Sequence, residues 1–233
     1  MRKNNSFIPF KSTYPIYALG SLIVLSATCL MVHIHFLPLL RTEQKITVFF
    51  QQLIGTPAMN YNHGLLNDVM TFFATYGDAT PIVILTVLFS LVLFLKKYNF
   101  LAFWFLGVVA TGGVIGTLMK FAFHRTRPMG HLPIDDGFSF PSGHAVGSTL
   151  FFSVICLVFL PKIQQTAARN LLMVLTVAIW IGILASRIYF SAHHLADLLG
   201  GVAFGLFWVL SAMCMYALSA SWFQKYVFKK SRL

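Results

Sequence analysis

The 233-residue chain is 58% hydrophobic and only 10% charged, with a formal net charge of +11 and a mean hydropathy of +0.77. A soluble domain carries roughly 25% charged residues, so this composition excludes a water-soluble globular protein. The cations sit in short clusters between apolar runs and form no continuous stripe, which excludes a nucleic-acid surface and points to a membrane chain.

In chain order, Arg2, Lys3 and Lys11 precede a first apolar run over 14–40. That run starts too late and runs too long for a cleaved signal, and Ser26-Ala27-Thr28 before Cys29 lacks the leucine of a lipoprotein site. It reads as an uncleaved span after a cytoplasmic tail of residues 1–13. Further apolar runs over 79–95, 99–122, 143–160, 171–190 and 195–220 lie near the ~20 residues that cross hydrocarbon. The expected fold is all-α, a six-transmembrane-helix bundle forming one domain over 1–233. Segment 41–78, punctuated by Arg41, Glu43, Lys45, Asp68 and Asp78, is expected to lie along the outer surface as interfacial helices, with the short second span able to begin at 71–76. Cys29, Cys156 and Cys214 fall inside apolar runs and read as packing residues.

With the N-terminus inside, the inner segments hold eleven cations and no acid, whereas the outer segments hold six cations and all six acids. The positive-inside rule therefore predicts both termini in the cytoplasm. Three clusters interrupt the apolar pattern: Lys120-x6-Arg127-Pro128, Pro141-Ser142-Gly143-His144, and Ser186-Arg187-x5-His193-x3-Asp197. In this topology all three meet at the outer face.

Lys120, Arg127 and Arg187 at a membrane border are costly unless an anion binds there, and the planar guanidinium suits phosphate oxygens. Ser142 supplies a hydroxyl, Gly143 allows close backbone approach, and a helix opening there aims free N–H groups at the same anion. His193 and Asp197, four apart, are expected on one helical face, where the carboxylate holds one ring nitrogen and leaves the other to attack. His144 comes from another span, as a separate proton donor would. Together these residues predict phosphoryl transfer through a phosphohistidine.

Taken in order and on one face, the three clusters resemble the tripartite signature of the type 2 phosphatidic acid phosphatases, a family that shares its site with bacterial acid phosphatases and vanadium haloperoxidases. The resemblance covers Lys120 to Asp197, the catalytic stretch 120–197. It implies that His193 attacks phosphorus, Asp197 orients it, and His144 protonates the leaving oxygen and then activates water. It also implies that Lys120, Arg127, Ser142, Gly143 and Arg187 hold the phosphoryl oxygens, with no metal and no cofactor. The substrate would be a lipid phosphate met among membrane lipids: a polyprenyl diphosphate such as undecaprenyl diphosphate, phosphatidylglycerol phosphate, or phosphatidic acid. The expected location is a bacterial plasma membrane with the site on the extracytoplasmic side. A lipid phosphotransferase and a transporter are the rival readings; the transporter would place its charges at mid-span.

Other polar residues have plainer readings. Arg125 and His124 read as a basic loop, Ser186 as a helix-packing residue, and Asp135-Asp136 as part of a turn over 133–137. His194 is expected on the helix, about 100° round from its neighbour His193 and at the membrane interface, and His33, His35, His63 and His131 lack a partner at metal-ligand spacing.

Overall fold

The computed structural model describes residues 7–229, 231 and 232. Arg2, Lys3 and Lys230, counted among the inner cations, lie outside them, as does the start of the 1–13 tail. Among the described residues every regular element is helical: α1 (Thr13–His33), α2 (Leu37–Ile54), α3 (Leu65–Tyr76), α4 (Ala79–Leu95), α5 (Asn99–Phe123), α6 (Gly143–Val154), α7 (Thr166–Tyr189) and α8 (Leu195–Tyr226). Five helices are long and apolar enough to cross a membrane: α1, α5, α6 with its continuation to Lys162, α7 and α8. Helices α3 and α4, bent by 60° at their junction, pass the same test together and make a sixth.

The first apolar run does not continue to residue 40. α1 ends at His33, His35 takes a left-handed φ of 50°, and α2 restarts with Pro38 in its first turn. A helix continuing through Pro38 would lose the bond to the Ile34 carbonyl, while the first turn of a new helix accepts proline at no such loss. α3 closes the segment 41–78. It packs on α7, with the Phe73 ring filling the space beside Gly182, where a Cβ would come within 2.5 Å of it. The fourth span is irregular at its far end. Beyond α6 it loosens into a π turn at Ile155–Phe159 and a 3-10 turn at Leu160–Lys162, because Pro161 cannot continue the hydrogen-bond ladder.

Packing centres on α6, wedged between α5 and α8. Gly112 and Gly116 on α5 face Leu150 and Val146, and Gly201 and Gly205 on α8 face Ala145 and Thr149. A Cβ at Gly201 would come within 2.7 Å of the Ala145 Cβ, and one at Gly205 within 2.6 Å of the Thr149 side chain. Lipid tails are as apolar as the helices, so association rests on this kind of close approach. Both glycine pairs are spaced i, i+4, and they hold the α6 N-terminus against the start of α8. That junction carries the site.

Candidate active site

α5 closes on His124, which caps it in the left-handed conformation (φ 48°) with its ring on Phe138. The chain then crosses the helix ends as a loop, tied down where Ser139 N–H donates to the Arg125 carbonyl (2.7 Å) and Ser142 N–H to the Asp197 carbonyl (3.1 Å). Ser142 caps α6, its hydroxyl oxygen accepting from Ala145 N–H at 3.4 Å, which leaves the hydroxyl proton free to donate elsewhere.

His193 and Asp197 do meet, but not along one helical face. α8 begins at Leu195, so His193 stands before the helix and His194 occupies the cap position. The carboxylate folds back: Asp197 Oδ2 accepts from His194 N–H (2.8 Å) and faces His193 Nδ1 at 3.6 Å. The Ser139 hydroxyl donates to the same Oδ2 and lies 3.4 Å from Nδ1. With oxygen acceptors around Nδ1, the ring proton belongs there and Nε2 keeps its lone pair. Burial pulls the His193 pKa down to about 4, against the opposing pull of Asp197. The ring is therefore neutral at physiological pH.

Lys120, Arg127 and Arg187 converge on the loop that spans 135–138. Lys120 Nζ donates to the Phe138 carbonyl (2.9 Å), and Gly143 lies against the Lys120 stem, 3.9 Å from Cε to a Cβ built on it. Arg127 donates to the carbonyls of Asp136 (2.7 Å) and Ala192 (2.8 Å), with Nη1 3.3 Å from His193 Nε2. Arg187, 2% exposed, donates from Nη2 to Asp135 Oδ1 at 2.5 Å, while its buried Nε has no acceptor among the described residues. His144 lies at the α6 mouth with Nε2 2.9 Å from the Ala74 carbonyl and Nδ1 3.8 Å from Asp78 at the α3–α4 bend.

Four residues matter more than their sequence positions implied. Arg125 is no loose loop cation: its guanidinium is buried between Glu43 and Asp197, 2.6 Å from Asp197 Oδ1. Asp135 does more than shape a turn, since it holds Arg187 and reaches Arg127 at 4.0 Å. Ser139 and Glu43 complete the surroundings of Asp197. His194 is half-buried at the α8 cap, where burial lowers its pKa. The plain reading of Ser186 agrees with its geometry, its hydroxyl donating to the Ile183 carbonyl at 2.7 Å. Glu43 carried one signal: it is the chain's single glutamate, set in a helix whose other charges are cations. Among the described residues no three His, Cys, Asp or Glu side chains converge as a metal cage.

Apolar spans with a buried histidine-and-cation cluster at one end define a membrane protein whose polar site suits an anion. The PAP2 superfamily profile matches residues 101–221, and the chain belongs to that superfamily. It is 31% identical over 158 residues to phosphatidylglycerophosphatase B of Bacillus subtilis strain 168, spanning 66% of this chain and 77% of that one. It is also 29% identical over 123 residues to the lipid A 1-phosphatase of a Rhizobium etli strain, spanning 47% of each. The fold is shared with the crystal structure of a transmembrane PAP2-type phosphatidylglycerolphosphate phosphatase from Bacillus subtilis, at a TM-score of 0.69 and 22% identity. That match covers 87% of this chain and 94% of the other.

Proposed function

We propose that this protein is a lipid phosphatase that hydrolyses a phosphate or diphosphate monoester through a phosphohistidine on His193, without a metal. One observation carries the lipid assignment. A cavity of about 110 Å³ lies between α4, α5 and α6, lined by Ile82, Val83, Gly113, Val146 and Leu150 and also by Lys120 and Gly143. A mostly apolar cavity with a half-buried cation in its lining fits a substrate with a hydrocarbon tail and an anionic head. The unpartnered Arg187 Nε favours the same anion.

In this reading Lys120, Arg127, Ser142, Gly143 and Arg187 hold the three non-bridging oxygens. His193 Nε2 forms the N–P bond as the lipid P–O bond breaks, and the departing oxygen takes a proton from His144. Asp197 balances the charge that develops on the His193 ring. A water then gives its proton to His144 and attacks phosphorus, the N–P bond breaks, and inorganic phosphate leaves. Catalysis rests on positioning and on charge stabilisation. Phosphatidylglycerol phosphate heads the substrates because of the Bacillus relative; polyprenyl diphosphate and phosphatidic acid follow. The charge asymmetry supports cytoplasmic termini and a site on the extracytoplasmic side of a bacterial plasma membrane.

Right-side-out vesicles bearing the protein, given these lipids from outside in the presence of chelator, should release inorganic phosphate and be inhibited by vanadate. Activity restored only by a divalent metal would overturn the mechanism. Phosphate appearing on an added alcohol in preference to water would make the protein a transferase. Release seen only after permeabilisation would reverse the sidedness.

A further inference from the structure

Helix α2 reaches the site through one side chain. Its only buried residue is Glu43, whose carboxylate is 1% exposed. Oε1 accepts from Ala196 N–H at the start of α8 (2.9 Å), and Oε2 pairs with Arg125. Arg125 passes the contact on to Asp197 Oδ1, and Asp197 Oδ2 faces His193. The result is an unbroken chain of carboxylate, guanidinium, carboxylate and imidazole from a peripheral helix to the ring expected to attack phosphorus.

Fastening a helix does not require this. A buried ion pair is a poor anchor, since apolar residues of equal volume hold as well or better. Nor is α2 seated by close packing along this face, because Leu40, Thr47 and Val48 line a cavity of about 520 Å³ together with Phe123, His124 and Pro128. The charges have a clearer use. Arg125 alone against Asp197 would cancel the negative field that the aspartate presents to His193. A second carboxylate on the far side of Arg125 leaves the three-group chain with a net negative charge.

We propose that Glu43 is a positioning residue that acts through Arg125 to keep Asp197 oriented and negative toward His193. This rests on the reading of His193 as nucleophile, because the phosphorylated ring is a cation that needs that field. Lys120, Arg127 and Arg187 do not touch Glu43, so anion binding in the ground state is independent of it.

Glu43→Gln keeps an acceptor for Ala196 N–H and removes only the charge. Pairwise couplings in such networks reach about a hundredfold, so kcat should fall roughly ten- to a hundredfold. The inhibition constant of inorganic phosphate should stay within about twofold, since the oxygen-binding groups are unchanged. The double variant Glu43→Gln/Arg125→Gln removes both opposed charges and should regain most of the lost kcat, which a purely structural role would not allow. Equal kcat for Glu43→Gln and wild type, weaker phosphate binding in step with kcat, or a double variant slower than the single one would each overturn the proposal. If the single variant does not fold, the double variant decides: near-wild-type turnover supports the proposal and a folded, inactive protein refutes it. Alkali-quenched wild-type enzyme, trapped during turnover, separates the two layers, because absence of phosphohistidine there defeats the catalytic reading itself.

Discussion

His193 and His144 stand at the mouths of adjoining helices, α8 and α6, yet they are held in opposite ways. His193 is 4% exposed, and behind it Asp197, Arg125 and Glu43 form nested charge pairs, with the Ser139 hydroxyl donating to Asp197. His144 leans on one carbonyl, Ala74, and on Asp78 at 3.8 Å, a carboxylate whose side chain is 58% exposed. The difference follows the division of labour proposed for the two rings. A nucleophile must present one nitrogen along one line, so its support is deep and charge-balanced. A proton carrier serves first a departing oxygen and then a water, so a lighter hold at the α3–α4 bend lets it serve both.

The largest effect should come from His193→Ala. Loss of the covalent route predicts a fall of about 10⁴-fold or more in kcat on lipid and aryl phosphates alike. Phosphate release from both substrates checks this, and rescue by the better leaving group would break the assignment. The same variant tests the ring's burial. The unfolded histidine titrates near 6.5 and the folded one near 4, so between these values the unfolded state binds the extra proton. Wild-type stability should therefore drop as pH falls from 6.5 toward 4. His193→Ala should lose less over that window when melting is followed in detergent.

His144→Ala comes next. Removing a general acid costs about 10²–10⁴-fold when the leaving group is a lipid alkoxide and far less for an activated aryl phosphate. The variant should still phosphorylate His193 from the aryl ester and then accumulate an acid-labile, base-stable phosphoenzyme, because the water step also needs His144. Rapid quench and peptide mapping read this directly. Label on His144 would reverse the two roles.

The asymmetry between the two rings was only half legible in the sequence. Motif residues announce themselves because cations and histidines are conspicuous among apolar runs, and their convergence follows from alternating span direction. The supports are another matter. Arg125 lies two residues from Arg127 and looks like any loop cation until Glu43, far away in sequence, is brought to it by the break at Pro38. Ser139 has no pattern at all, and its contact with Asp197 depends on the path of an irregular loop. The spacing of His193 and Asp197 suggested a shared helical face, whereas a helix start at Leu195 brings them together by a carboxylate that folds back over its own cap. The helices themselves were legible where apolar runs end at caps, as for 79–95. They were less so where proline intervenes, as at Pro38 and Pro161, because run length alone does not register a missing backbone donor.

The smallest expected effect sharpens the contrast most. Asp78 both caps α4, accepting from Ala79 N–H at 2.7 Å, and faces His144 Nδ1. Asparagine caps a helix about as well as aspartate, so Asp78→Asn separates the charge from the cap. Exposed ion pairs contribute about 0.2–1 kcal/mol, which corresponds to at most about a fivefold change in rate. That change should appear with lipid substrate, where the departing oxygen needs its proton, and vanish with an aryl phosphate, where it does not. Added salt should shrink it further, because the carboxylate is open to screening. Asp78→Ala should add a stability loss of about 1 kcal/mol from the missing cap, seen as a lower melting temperature in detergent. A loss from Asp78→Asn as large as that from Glu43→Gln, or one equal on both substrates, would mean that His144 is held as firmly as His193 and that the two supports do not differ in kind.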